Sequence, residues 1–110
     1  MSSYLIQVSY TNEAVKKLIA KPEHRHEVIQ KAVEELGGKL IGSWLSFGDY
    51  DVVVLAELPD NAAAAGLALA VAAGGSCKTV KTTPLLSVEE GEAAMKKAAA
   101  SHYQPVGATK

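Results

Sequence analysis

The sequence holds little of what usually marks chemistry. A single cysteine, Cys77, excludes an internal disulfide, and no Cys/His cluster stands at metal-ligand spacing. That thiol reads best as a small buried hydrophobe. No charge surplus exists either: 11 Lys and Arg against 12 Asp and Glu leave a net charge of −1, with the basic residues scattered. Such a surface has no concentrated patch with which to grip a phosphate backbone, so no nucleic-acid partner is expected. Long apolar runs are missing as well. "MSSYLIQVSY" lacks a basic leader, and Ala62–Ala73 falls short of the roughly 20 residues that span a bilayer. No nucleophile elbow or Gly-rich phosphate loop is present, and "SYTNEAV" has no paired cysteines for copper. These absences point to a soluble cytoplasmic protein with no membrane partner and no metal or other cofactor.

What is present is one domain's worth of alternating strands and helices. Of the 110 residues, 48% are apolar and 21% charged, enough to build a single core. "YLIQVSY", Tyr4 to Tyr10, is β-branched and aromatic and predicts a first strand. Thr11 or Asn12 can cap the helix that follows, and Pro22 interrupts it. From Glu23 onward Val28, Ile29, Ala32, Val33 and Leu36 form an apolar stripe, ended by Gly37-Gly38. "KLIGSWLSF" (39–47) and "YDVVVLAEL" (50–58) predict a hairpin turned by Gly48-Asp49. Asp60 or Asn61 caps a third helix that runs to Ala73 and stops at Gly74-Gly75. Ser76 to Leu86 predicts a fourth strand, with Pro84 at its exit or on a sheet edge. Ser87 and Glu90 have capping-box spacing for a last helix to about Ala100. Residues 1–100 thus form the expected domain, and 101–110 an expected flexible tail.

That order, strand–helix–strand–strand–helix–strand, predicts a ferredoxin-like α+β fold: an antiparallel sheet with helices on one face, plus a C-terminal helix. Such a sheet normally turns a polar face to water. With a two-residue turn at Gly48-Asp49, one face carries Ile41, Ser43, Leu45 and Phe47 beside Tyr50, Val52, Val54 and Ala56. The other carries Leu40, Gly42, Trp44 and Ser46 beside Asp51, Val53, Leu55 and Glu57. Both faces are rich in large apolar side chains. Leaving the second in water costs on the order of 1.5–3 kcal/mol per large side chain. A second copy of the chain, sheet against sheet, is the simplest cover.

Three blocks carry a resemblance: "YLIQVSYT", the run from "LGGKLIGSWLSFGDYDVVVLAELPD" to "AVAAGG", and "TVKTTPLLSVEE". Together they resemble the GYD domain family, whose Gly-Tyr-Asp signature reads here Gly48-Asp49-Tyr50-Asp51. The resemblance implies a ferredoxin-like fold of the dimeric α/β-barrel kind, and no particular reaction.

The candidate site residues are Trp44, Tyr50 and Asp51. Tyr50 and Asp51 could place a phenol and a carboxylate at a cavity rim, with Asp51 a proton acceptor if desolvated; alternatively Tyr50 packs beside Phe47 and Asp51 bonds backbone amides at the hairpin end. Trp44 is either a core or interface anchor or the wall of a pocket for a flat ligand. His24 and His26, two apart, diverge on a helix and read as solvated. The RNA-binding use of this fold needs exposed aromatic and basic residues on central strands, where this chain offers Val53, Leu55 and Glu57. The expected function is a homo-oligomeric small-molecule binding or regulatory module. Its alternatives are a metal-independent enzyme, an isomerase or cofactor-independent oxygenase, and a structural oligomer without ligand.

Overall fold

A computed structural model describes residues 1–108. In chain order the elements are β1 (Ser2–Tyr10), α1 (Asn12–Ala20), α2 (Arg25–Glu35), β2 (Lys39–Leu45), β3 (Val52–Leu58), α3 (Asn61–Ala73), β4 (Cys77–Leu85) and α4 (Val88–Ala100). The strands form one sheet in the order β2-β3-β1-β4, with every neighbouring pair antiparallel. This is the ferredoxin-like arrangement the element order predicts.

The core sits on one side of the sheet. Period-two alternation turns Tyr4, Ile6 and Val8 of β1 and Val52, Val54, Ala56 and Leu58 of β3 toward the helices. Val33 of α2 and Ala64 and Leu67 of α3 close over them. Tyr4 is fully buried, and its hydroxyl donates to Asn61 Oδ1 at 2.7 Å, which satisfies the phenol and fixes the start of α3.

The predicted caps are in place. Thr11 Oγ1 accepts from the Ala14 N–H at 3.1 Å, and Asp60 Oδ1 from the Ala63 N–H at 2.9 Å. Ser87 and Glu90 form a reciprocal capping box at 3.1 and 3.0 Å. α2 ends in a Schellman motif: the Gly38 N–H donates to Val33 O, the Gly37 N–H to Glu34 O, and Gly37 takes φ +81°. Gly38 has a separate reason to be glycine. A Cβ there would collide with the Glu57 carbonyl oxygen and lie 2.6 Å from Leu58 Cδ2.

The hairpin differs from expectation. β2 stops at Leu45 and β3 starts at Val52, with six residues between them, and a Ser46–Asp51 bond narrows the connection to a four-residue loop, Phe47 to Tyr50, rather than a two-residue turn. The Ser46 N–H donates to the Asp51 carbonyl at 2.8 Å and the Ser46 hydroxyl to the Tyr50 carbonyl at 2.7 Å, closing the loop. Phe47 at its tip is 100% exposed and offers Tyr50 no packing surface. The Leu45–Val52 register holds, but a bulge between Leu40 and Gly42 changes the faces beyond it. Leu40 pairs with Ala56 and packs on the core, whereas Ile41, expected among the core-facing residues, is 48% exposed.

The far side of the sheet is uncovered. Trp44 is 56% exposed there, opposite Val53, with Leu55, Leu5 and Leu85 on the same side. α4 does not cover it, for none of its residues is buried and Met95 is 72% exposed. The radius of gyration is 17.7 Å, against about 13 Å for a compact domain of this length.

Two stability outcomes follow. Gly38→Ala should lower unfolding free energy by about 1–3 kcal/mol through overpacking, whereas Gly91→Ala, whose methyl meets open space in α4, should cost nothing; urea melts of the two check this. The Thr82 hydroxyl is buried without a hydrogen-bond partner. Thr82→Val should therefore leave stability unchanged or raise it by up to about 1 kcal/mol in the same assay, since an orphaned polar atom is removed at constant shape.

Candidate functional site

At the end of the sheet where β1 finishes, the helices do not fill the space above the strands. A cavity of about 110 Å³ lies between β1 and β3 below and α2 and α3 above, walled by Ile6, Val8, Ile29, Leu67 and Val71. Its emptiness has a source in the sequence. α2 and α3 present Ala32 and Ala68 to it where longer side chains would fill it.

Three polar or reactive side chains join the lining: Tyr10, Arg25 and Cys77. Each arrives by a different device. Tyr10 is the last residue of β1, in phase with Tyr4, Ile6 and Val8. Arg25 is the first residue of α2, placed there by the break at Pro22. Cys77 faces inward because of a bulge. Val8 pairs with Val80 and Ser9 with Thr79, but Tyr10 pairs with Cys77, skipping Lys78. Strict alternation would have turned Lys78 toward the helices, so the bulge replaces an ammonium with a thiol.

A wider groove of about 390 Å³ continues outward from the cavity and shares Tyr10, Arg25, Ile29 and Val52 with it. Glu23, His24, His26, Ser43 and Trp44 border this outer part. His26 Nδ1 and Ser43 Oγ are hydrogen-bonded at 2.6 Å, joining α2 to β2. His24 precedes the helix as its N-cap residue, and the irregular backbone there lets both histidines border one groove despite their spacing.

The electrostatics centre on Arg25. Its Nη1 lies 3.9 Å from Glu23 Oε1, an exposed pair beyond hydrogen-bond reach. Burial pushes the Tyr10 phenol above its ordinary pKa, and the neighbouring guanidinium pulls against that rise. Burial likewise pushes the Cys77 thiol up, again opposed by Arg25. Both groups are therefore neutral near pH 7, and the rim presents one cation, one phenol and one thiol.

Of the residues singled out from sequence, Trp44 borders the outer groove, whereas Tyr50 and Asp51 line neither space. Asp51 is committed to the backbone. Its Oδ2 accepts from the Tyr10 N–H at 2.8 Å and its own N–H donates to the Val8 carbonyl at 2.7 Å, locking the hairpin end to β1. The indole of Trp44 lies over Gly42, where a Cβ would come within 2.6 Å of the ring. Sequence reasoning missed Tyr10 and Arg25. The available signal was Pro22, which makes Arg25 the opening residue of a helix set above the end of the first strand.

The GYD domain profile matches residues 4–95. This chain belongs to the GYD domain family. A Thermus thermophilus protein named glutamine synthetase and cystathionine beta-lyase binding protein is similar at 29% identity over 80 residues, covering 73% of this chain and 84% of that one. The crystal structure of TTHA0845 from Thermus thermophilus superposes with a TM-score of 0.54 at 15% identity, covering 80% of this chain and 96% of that chain, which supports the fold alone. No helix among the described residues is long and apolar enough to cross a membrane.

The raised thiol yields a measurable outcome. At pH 8, alkylation of Cys77 should run slower than that of an unperturbed cysteine, because only the thiolate reacts. Arg25→Gln removes the influence that lowers the thiol pKa, so the midpoint of the pH–rate profile should move further upward. A midpoint that stays put or falls would mean the guanidinium does not act on the thiol.

Proposed function

We propose that this GYD domain is a homo-oligomeric binding module that holds a small molecule between its sheet and helices. The observation that carries this reading is the apolar cavity with Tyr10 and Arg25 at its rim, opening into a polar groove. A mostly apolar hollow with a few convergent polar groups is the usual form of a ligand site. Trp44, bordering the groove, remains the ligand-contact candidate among the residues singled out from sequence; Asp51 acts on the site through the backbone amide of Tyr10, whereas the Tyr50 carbonyl accepts from the Ser46 hydroxyl within the loop.

Self-association is supported by the uncovered side of the sheet. Trp44, Val53, Leu55, Leu5 and Leu85 form an apolar surface that neither α4 nor any other described element covers. Burying such a face against its symmetry mate would recover on the order of 25 cal/mol for each Å² of apolar area removed from water. The exposed Leu86, Val88 and Met95 supply further apolar area at and along α4.

A second reading has its own support. The Thermus thermophilus relative is named for binding two enzymes, and the same uncovered face could receive an enzyme surface here instead of a second copy. The metal-independent enzyme reading is weaker, since Asp51, its proposed proton acceptor, spends its carboxylate on a backbone amide.

Native mass spectrometry of protein purified from its own host tests both parts. A dimer or higher multiple with a retained small molecule is expected, and Leu55→Lys should shift the mass to monomer. A monomeric mass at micromolar concentration would overturn the self-association, and a bare polypeptide mass together with no ligand-dependent change in the melting temperature would overturn the binding role.

A further inference from the structure

The chemistry of the rim narrows what the cavity can accept. Its inner walls are aliphatic, so the part of a ligand that enters must be apolar. By proportion with the roughly 150 Å³ cavity that holds benzene, the space of about 110 Å³ takes about four or five carbon atoms. A longer chain would have to leave its remainder in the groove.

At the rim the only permanent charge shared by cavity and groove is Arg25. A guanidinium carries five donors and no acceptor, and suits a carboxylate in a two-point pairing. Here one donor is shared with the Tyr10 phenol oxygen, and none is hydrogen-bonded to a carboxylate. The Glu23 carboxylate stands 3.9 Å away on an exposed, mobile type of side chain, so an incoming anion displaces a weak pair. Asp51, the other nearby carboxylate, lines neither space and is held by the Tyr10 amide. The Tyr10 phenol and, further out, the His26 imidazole add donors on the same side.

We propose that the cavity binds a short aliphatic monocarboxylate, its hydrocarbon tail among Ile29, Leu67 and Val71 and its carboxylate on the Arg25 guanidinium. This rests on the small-molecule reading above and adds the ligand's charge and size. Tyr10 donates a hydrogen bond to the carboxylate, and Cys77 lies against the tail. A cationic or doubly charged ligand is disfavoured, since the site supplies one positive group and no inward-facing carboxylate.

Cys77, the only cysteine in the chain, serves as a built-in reporter of occupancy, and its modification by N-ethylmaleimide can be followed in the intact protein. Isovalerate and pentanoate should slow the reaction in a saturable manner. The matched alcohols, 3-methylbutanol and pentanol, should need at least tenfold higher concentration for the same protection. Arg25→Gln should erase that difference, bringing the acids down to the alcohols. Ala68→Leu fills the cavity with Arg25 intact and should abolish protection by both classes, which guards against an Arg25 variant that fails to fold. Equal protection by acids and alcohols in the native chain would overturn the carboxylate assignment while leaving the binding role standing. Protection by octanoate exceeding that by pentanoate in proportion to chain length would overturn the size assignment. If none of these compounds protects Cys77 or shifts the amide resonances of the lining residues, while a different retained molecule is found by native mass spectrometry, the carboxylate proposal fails and the binding reading survives. If no retained molecule is found either, both fall.

Discussion

A four-stranded sheet with apolar side chains on both faces is supplied with helices for one face only, and most of the molecule's properties descend from that mismatch. On the helix side, Tyr4, Ile6, Val8, Val52, Val54, Ala56 and Leu58 are sealed by α2 and α3. On the other, Leu5, Val53 and Leu55 alternate with them along the same strands, beside Trp44 of β2, and no helix covers them. Even the covered side is under-filled, because α3 is built largely from alanine and α2 places Ala32 over the sheet. Close-packed interiors leave few hollows of this size. The chain therefore has unfinished business in two places, one inside and one outside.

The signature at the hairpin gains a physical meaning from this arrangement. Gly48 takes φ +124°, a conformation that side-chain-bearing residues rarely adopt, and so permits the four-residue loop. Asp51 then returns the chain to the sheet and spends its carboxylate on the Tyr10 amide, at the point where β1 leaves the ladder and β4 bulges. Without that bond, the last residue of β1 would have a free amide and a loose phenol. The acidic residue thus fixes the rim of the cavity without lining it.

Much of the fold was legible because local physical chemistry decides it. Thr11, Asp60 and Ser87 bond the amides their spacing predicts, and Gly37-Gly38 and Gly74-Gly75 stop their helices as glycine pairs should. The α+β order and helices on one face followed from the same signals. What escaped was settled by tertiary contacts. Leu40 and Ile41 are both apolar, so no binary pattern could say which one a bulge would expel, and the exchange of Lys78 for Cys77 has the same character. Gly48-Asp49 fits a two-residue turn, yet Ser46 closes a wider loop with its own hydroxyl. Tyr10, Arg25 and Cys77 are far apart in sequence and individually ordinary, and only the fold makes them neighbours.

The two incomplete surfaces share their strands, and this constrains how they can communicate. Val52 and Val54 line the cavity, while Val53 and Leu55, one peptide away on the same strand, belong to the uncovered face. A ligand that fills the cavity without moving β1 or β3 has no differential contact with the free and assembled states and cannot shift their balance. Any coupling must therefore pass through a displacement or stiffening of those two strands. It must also be reciprocal, with assembly changing ligand affinity by the same factor that the ligand changes assembly. The route available for it is short: the Asp51 bonds to Tyr10 and Val8 tie the cavity rim to the hairpin that carries Trp44, so strain at one is delivered to the other across a single residue.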